Sequence, residues 1–402
     1  MSRPSPISPL PLTRRASLAC LAAAALAVLA GCAGQGASPG FGEPAGQAGI
    51  PVQPSAIGTG QVKVALILPL SATGNAGVAA QSMKNAAELA LSEFNNPNIQ
   101  LLVKDDGGSS PNAQFAAQQA MEEGAEIILG PLFAQSVQAA ATAAKPRGVP
   151  IIAFSTDSSV ASRGVYLLSF LPESDVARIV SYSIATGKKS FAAMIPDNAY
   201  GTVVEATFRE IVSRRGGRIV AMERYSDRSK IAEAAKIVAQ SARNADALFI
   251  PDGADSVPAV IQALTDAGVN TKRLQLLGTG LWDDPRVFND TALHGGAFAA
   301  PDTNGFNSFA QRYRAKYGQD PVRTATLAYD ATALVAALVK TQGGQRFSEE
   351  VLTNPSGFAG IDGIFRFKTD GTNDRGLAVL RVGPSGGQVV SPAPKSFGAS
   401  GT

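Results

Sequence analysis

Reactive side chains are scarce in this sequence of 402 residues, which holds two cysteines, one histidine and one tryptophan. The histidine, His294, lies in Leu293-His294-Gly295-Gly296, and no Gly-x-Ser-x-Gly elbow accompanies it. Serine hydrolase chemistry would therefore have to recruit a single residue of turn-like context. No Cys/His cluster has zinc spacing, and Asp105-Asp106 lack the spacing of a calcium loop. A P-loop is missing. Gly278-Thr279-Gly280 begins like a dinucleotide fingerprint, yet Asp283 stands where the third glycine belongs. The pair Asp283-Asp284 has two readings, acid/base work or the commoner solvated helix cap. No run of Lys and Arg interleaved with aromatics appears, so a nucleic-acid partner is excluded. No catalytic residue, cofactor or metal is expected.

What is present begins at the N-terminus. Arg3, Arg14 and Arg15 precede an apolar stretch from about Leu18 to Leu29 with no acid among them, the layout of a secretory signal. That stretch is shorter than the roughly 20 residues of a spanning helix. The following Leu29-Ala30-Gly31-Cys32 resembles the bacterial lipobox, which implies cleavage after residue 31 and a diacylglycerol on Cys32, the lipidation site. Loss of residues 1–31 takes three arginines with it, so the formal charge of +3 falls to zero and no basic field remains. Cys20 leaves with the signal and Cys32 is acylated, so no thiol is left for a disulfide, metal or nucleophile. Residues 32–61 are Gly, Ala, Pro, Ser and Gln with few large apolar side chains, the composition of a flexible tether. A coil of about 28 residues reaches on the order of 30 Å. Residues 386–402 have a similar composition and are expected to be a disordered tail.

Between these ends, short β-branched runs alternate with amphipathic stretches of helical length. Val62–Leu68 reads as a buried strand, followed by a helix in which Met83, Ala86, Ala90 and Phe94 recur on one face. Strands are expected at Ile99–Lys104, Ile127–Leu129 and Val149–Ala153, with helices from near Pro111 and over Val137–Ala144. The pattern then restarts with strands at Phe191–Ile195, Arg218–Met222, Ala247–Ile250 and Leu274–Leu277, and helices at Thr202–Arg214, Ile231–Ala242 and Val257–Ala267. Arg323–Lys340 reads as a long helix, and Ile364–Phe367 with Leu377–Val382 as a late β pair. Two such series imply an α/β protein of two Rossmann-like lobes, each with a parallel sheet covered on both faces.

In open α/β sheets, ligands sit beyond the carboxyl ends of the strands. The candidates there are Ser71 and Thr73 after the first strand, Gln135 and Ser136 after the third, and Ser155, Thr156 and Asp157 after the fourth. Each of these is also a plausible helix cap, and it is their convergence on one edge that favours a binding site.

The runs VALILPLSATGNAGVAAQSMKNAAELALSEFN, KDDGGSSPNAQFAAQQAMEEGAEIILGPLFAQSV, GVPIIAFSTD and PDNAYGTVVEATFRE resemble the type I periplasmic binding proteins of the leucine/isoleucine/valine-binding family. The resemblance covers Val62 to Val382. It implies three crossings between the lobes, near Phe170–Pro172, Ala299–Pro301 and Arg375. Lobe 1 is then 62–171 with 299–374, and lobe 2 is 172–298 with 375–385. It also implies a cleft for a small polar ligand, amino-acid-like, with Tyr200 at its lobe 2 edge. Where the family's amino-acid binders carry a serine, this chain has Ala134 with Ser136 close by, and Asp157 replaces their threonine. Their aromatic falls at Pro251-Asp252-Gly253 and their glutamate at Gly280. Asp157 or Asp252 is left to face an ammonium. Arg323 and Trp282 are rim candidates, with core packing as the alternative for Trp282.

Two roles follow from resemblance. One is a non-enzymatic solute receptor for an ABC permease. The other is suggested by the lipobox together with Gly278–Asp284, which resemble lipoprotein activators of penicillin-binding proteins, whose partner is a peptidoglycan synthase. Ala33 follows Cys32 where an aspartate would retain an enteric lipoprotein in the inner membrane, which implies the periplasmic face of the outer membrane.

Overall fold

The computed structural model describes residues 56–397, and the signal, most of the tether and Cys32 lie outside them. The first lobe is built on a sheet of β1 (Ala56–Ile57), β2 (Val62–Leu68), β3 (Ile99–Asp105), β4 (Ala125–Leu129), β5 (Ile151–Ala153) and β6 (Val165–Leu167). Their order is β1-β3-β2-β4-β5-β6, parallel except for β1. β1 falls inside the stretch read as tether and is instead an edge strand, pairing Ala56 with Leu102.

β2 shows how the sequence makes this sheet. Its apolar run feeds two cores, because side chains alternate across a strand. Val64, Leu66 and Leu68 point to the face covered by helices Asn75–Glu93 and Ala325–Thr341, and Ala65 and Ile67 to the face covered by Ser110–Glu122 and Ala134–Ala144.

The second lobe repeats the scheme with β7 (Ser190–Pro196), β8 (Arg218–Tyr225), β9 (Ala247–Phe249), β10 (Gln275–Gly278) and β11 (Ala297–Ala300). Here Ala192 and Met194 pack toward helices Ile231–Ala242 and Val257–Asp266, while Phe191, Ala193 and Ile195 pack toward Pro172–Ala185 and Ala199–Arg214. A small sheet of β12 (Phe358–Gly360), β13 (Gly363–Phe367) and β14 (Asn373–Arg375) adds Phe365 and Phe367 to the first lobe's core. β15 (Ala378–Gly383) and β16 (Gly386–Ser391) then join the second sheet, ordered β16-β15-β11-β10-β9-β7-β8.

The expected parallel sheets are therefore mixed, since β15 and β16 run antiparallel at one edge. The expected late β pair is corrected: β13 and β15 lie in different sheets. β11, in the second sheet, ends at Ala300, and β14, in the small sheet, ends at Arg375. The tail expected from residue 386 begins instead with β16, whose Val389 pairs with Leu380. Beyond it Pro394 lies over Gly376 between the sheets, and the chain then reaches the first lobe, where the Arg366 guanidinium of β13 lies 4.6 Å from the centroid of the Phe397 ring.

Three elements gave no clear sequence signal. Helix Thr303–Tyr317 is polar, burying only Phe309, Ala310 and Tyr313. β11 is four residues of Ala and Phe. Helix Pro172–Ala185 begins where a crossing was expected, with Pro172 at its first position.

Candidate functional site

A cavity of about 640 Å³ opens between the two sheets, walled from both lobes. Thr156, Asp157, Phe170 and Arg323 come from the first lobe, and Asp175, Tyr200, Val203, Gly280, Leu281 and Asp283 from the second. Most of these lie just beyond a strand or in the first turn of a helix, while Arg323 comes from the loop between helices Thr303–Tyr317 and Ala325–Thr341 and Val203 from the second turn of helix Ala199–Arg214.

Asp157 follows β5 and caps the short turn Ser158–Val160, its Oδ1 accepting from the Ser159 N–H at 3.0 Å. Tyr200 is set by Asn198, which accepts from the Gly201 N–H at 2.8 Å and so starts helix Ala199–Arg214. The Tyr200 hydroxyl lies 2.8 Å from Thr279 Oγ1. Burial holds that phenol well above its ordinary pKa, so it stays neutral.

Arg323 is fixed on three sides. Asp362, fully buried, accepts from both its Nη atoms at 2.6 and 2.9 Å, and Phe170 and Phe306 flank the guanidinium at 4.8 and 4.7 Å. Such fork-on-fork geometry fixes the plane of the group as well as its charge.

Asp175 was not among the candidates, because acids are ordinary in the first turn of a helix and the signal is indistinguishable from dipole compensation. The structure brings its Oδ2 to 2.9 Å from the Gly280 N–H. Gly280 is the position at which the family resemblance expected a glutamate. The carboxylate missing there thus arrives from another helix, and a Cβ on residue 280 would already stand 3.2 Å from that oxygen. Burial raises the Asp175 pKa to about 7, against the lowering effects of the Gly280 N–H and of Arg375.

Behind Phe170 sits Arg375, 7% exposed, its guanidinium 4.7 Å from the ring and its Nε donating to the Ser169 carbonyl at 2.9 Å. Its Nη atoms find no hydrogen-bond partner among the described residues. Asp330, buried alongside and accepting from the Ile361 N–H, is likewise raised to about 7 by burial.

Seven sequence candidates fall outside the cavity wall. Ser71, Thr73 and Gln135 are exposed and Ser136 is fully buried. Their loops are stitched to one another: Asp105 accepts from the Ser71 and Gly107 N–H groups, and the Gln135 amide donates to the Gly108 carbonyl. Ser155 is buried, its Oγ accepting from the Asp157 N–H at 3.1 Å. Asp252 accepts from the Tyr225 hydroxyl at 2.6 Å and from its neighbour Gly253, within its own loop.

Trp282 is the packing residue and not a rim residue. It is fully buried, donates from Nε1 to the Ile250 carbonyl at 3.1 Å, and lies so close to Gly278 that a Cβ there would meet its ring at 2.2 Å. Of the acid pair beside it, Asp284 caps the next helix through the Arg286 N–H, and Asp283 faces the cavity. Thr156, Asp157, Tyr200 and Arg323 are the candidates that the fold brings together.

A profile described as periplasmic binding protein matches residues 61–388. The chain belongs to the periplasmic binding protein family. This periplasmic binding protein is 23% identical over 337 residues to an uncharacterized protein of Rickettsia prowazekii, covering 80% of this chain and 86% of that one. Its fold is shared with a branched-chain amino acid ABC transporter protein of Rhodospirillum rubrum, at a TM-score of 0.72, 21% identity, and 82% and 99% of the two chains. It is also shared with a Rhodopseudomonas palustris ABC transporter solute-binding protein crystallised with 3,4-dihydroxybenzoic acid, at a TM-score of 0.60, 21% identity, and 84% and 97% coverage. Family membership makes it a binding protein rather than an enzyme, and places it in the periplasm.

Proposed function

We propose that this protein is a lipid-anchored solute receptor. It captures an amino acid or similar small polar molecule between its lobes and presents it to an ABC-type importer. The observation that carries this reading is the 640 Å³ cavity walled by both lobes, a size that suits a small organic molecule. Polar groups within it are few and convergent, and Phe170, Val203 and Leu281 supply apolar wall. A ligand that touches both lobes favours their approach, because only the closed arrangement offers both sets of contacts.

The test is calorimetry and thermal unfolding of the protein lacking its signal, against a panel of free amino acids and small carboxylates or amines, with small-angle scattering of the best binder. Binding with a smaller radius of gyration is expected. A panel that yields no binder, together with co-purification of a peptidoglycan synthase, would replace the receptor reading with the activator role. The anchor at Cys32 is tested separately, by fractionating cells that express the wild type or Cys32→Ser. The wild type belongs with outer membranes and the variant with the soluble periplasm.

A further inference from the structure

We infer that the cleft selects an organic cation, a molecule whose ammonium or guanidinium charge exceeds any carboxylate of its own. This deepens the receptor reading above and rests on it.

The cavity wall carries an excess of negative charge. Three carboxylates face it, those of Asp157, Asp175 and Asp283. Among the described residues the cation on the wall is Arg323, which gives two hydrogen bonds to the buried carboxylate of Asp362 and also acts on Asp283, so one positive charge faces four carboxylates. Arg375, the next nearest guanidinium, stands behind Phe170 and does not reach the wall.

The three wall carboxylates are also under-used. Asp157 accepts one bond at Oδ1, Asp175 accepts one at Oδ2, and Asp283 accepts none from the described residues, leaving four oxygens without a protein donor. Asp157 and Asp283 are exposed to the open cleft, whereas Asp175 is the one withdrawn from water, and its elevated pKa shows that Arg375 only partly offsets the cost of that burial. A ligand cation removes it.

The alternatives fit poorly. An aromatic acid such as the one held by the structural relative would bring a fourth carboxylate into this field. A neutral zwitterion brings one carboxylate with each ammonium and so leaves the wall's excess of negative charge in place. Val203 and Leu281 accept the apolar body of an amine.

Four probes separate the outcomes by calorimetry at pH 8: agmatine and phenethylamine as cations, L-leucine as zwitterion, and 3,4-dihydroxybenzoate as anion. At least one cation should bind at least tenfold more tightly than leucine or the benzoate. Asp283→Asn, at an exposed and isosteric position whose folding is checked by circular dichroism, should weaken that cation about tenfold. Tighter binding of leucine or the benzoate overturns the charge selection but leaves the receptor reading standing. Cation binding unchanged by both Asp283→Asn and Asp157→Asn overturns the assignment to these carboxylates. No binding by any probe, nor by the wider panel, overturns both readings together.

Discussion

Replacing Asp362 by alanine removes the carboxylate that holds Arg323 in place. That carboxylate is fully buried and accepts three bonds, two from Arg323 and one from the Thr326 hydroxyl at 2.6 Å. Breaking a buried ion pair on one side costs about 3–5 kcal/mol, because the surviving charge is stranded. The Arg323 side chain is 38% exposed, so water relieves part of the stranding. The expected loss is therefore about 2–3 kcal/mol. At roughly 2–4 °C per kcal/mol for a domain of this size, the melting temperature should fall by about 4–12 °C.

Far-UV circular dichroism reads both lobes, while the fluorescence of Trp282, the single tryptophan, reads only the second. The displaced transition should appear first in circular dichroism if the lobes unfold separately. A double-mutant cycle with Arg323→Ala isolates the pair. A loss below about 1 kcal/mol, or a coupling energy near zero, would show that the pair behaves as an ordinary surface contact and would refute the reasoning.

Three other outcomes are expected. Gly278→Ala should destabilise the second lobe by about 1–3 kcal/mol and shift Trp282 emission to the red, since the new methyl collides with the indole; an unchanged spectrum would contradict the packing described. Asp175 and Asp330, raised from 3.8 to about 7 in the folded protein, keep their protons there while the unfolded chain releases them between about pH 4 and 7. Their contribution thus favours the fold most at low pH and declines as pH rises toward 7, where it levels off. Asp330→Asn, which retains an acceptor for the Ile361 N–H, should flatten that decline in urea midpoints measured from pH 4.5 to 8; an identical slope would exclude Asp330 as a source. Tyr225→Phe should cost about 1 kcal/mol by removing the 2.6 Å bond to Asp252 without altering ligand affinity, because neither residue lines the cavity. A changed dissociation constant would reinstate Asp252 as a contact.

Most of the α/β series was legible because fully buried strands such as β2 and β7 read as continuous apolar runs between helical periods. What resisted reading was of two kinds. β11 and the helix Thr303–Tyr317 carry weak patterns, being short or largely solvent-facing. The site resisted because strand-end polarity does not say which polar groups are already satisfied. Ser71 and Gln135 sit in loops cross-linked by their own hydrogen bonds, whereas Asp175 and Asp283 look in sequence like routine first-turn or cap acids. Only the packing of helix Pro172–Ala185 against the loop at Gly280, 105 positions along the chain, turns Asp175 into a cavity residue.

The return of the chain after β16 has a mechanical consequence. β16 is an edge strand held on one side only, by β15, and such a strand ordinarily frays from its free end. Here the following residues are fastened to the other lobe, where the Phe397 ring lies beneath Arg366 and against Gly357. Peeling must therefore begin by releasing Phe397 from the first lobe before any β15–β16 bond opens. The strand gains protection from a lobe to which it does not belong, and its amides should exchange with solvent more slowly than those of β8, the opposite edge, whose end is tied within its own lobe through Tyr225 to Asp252.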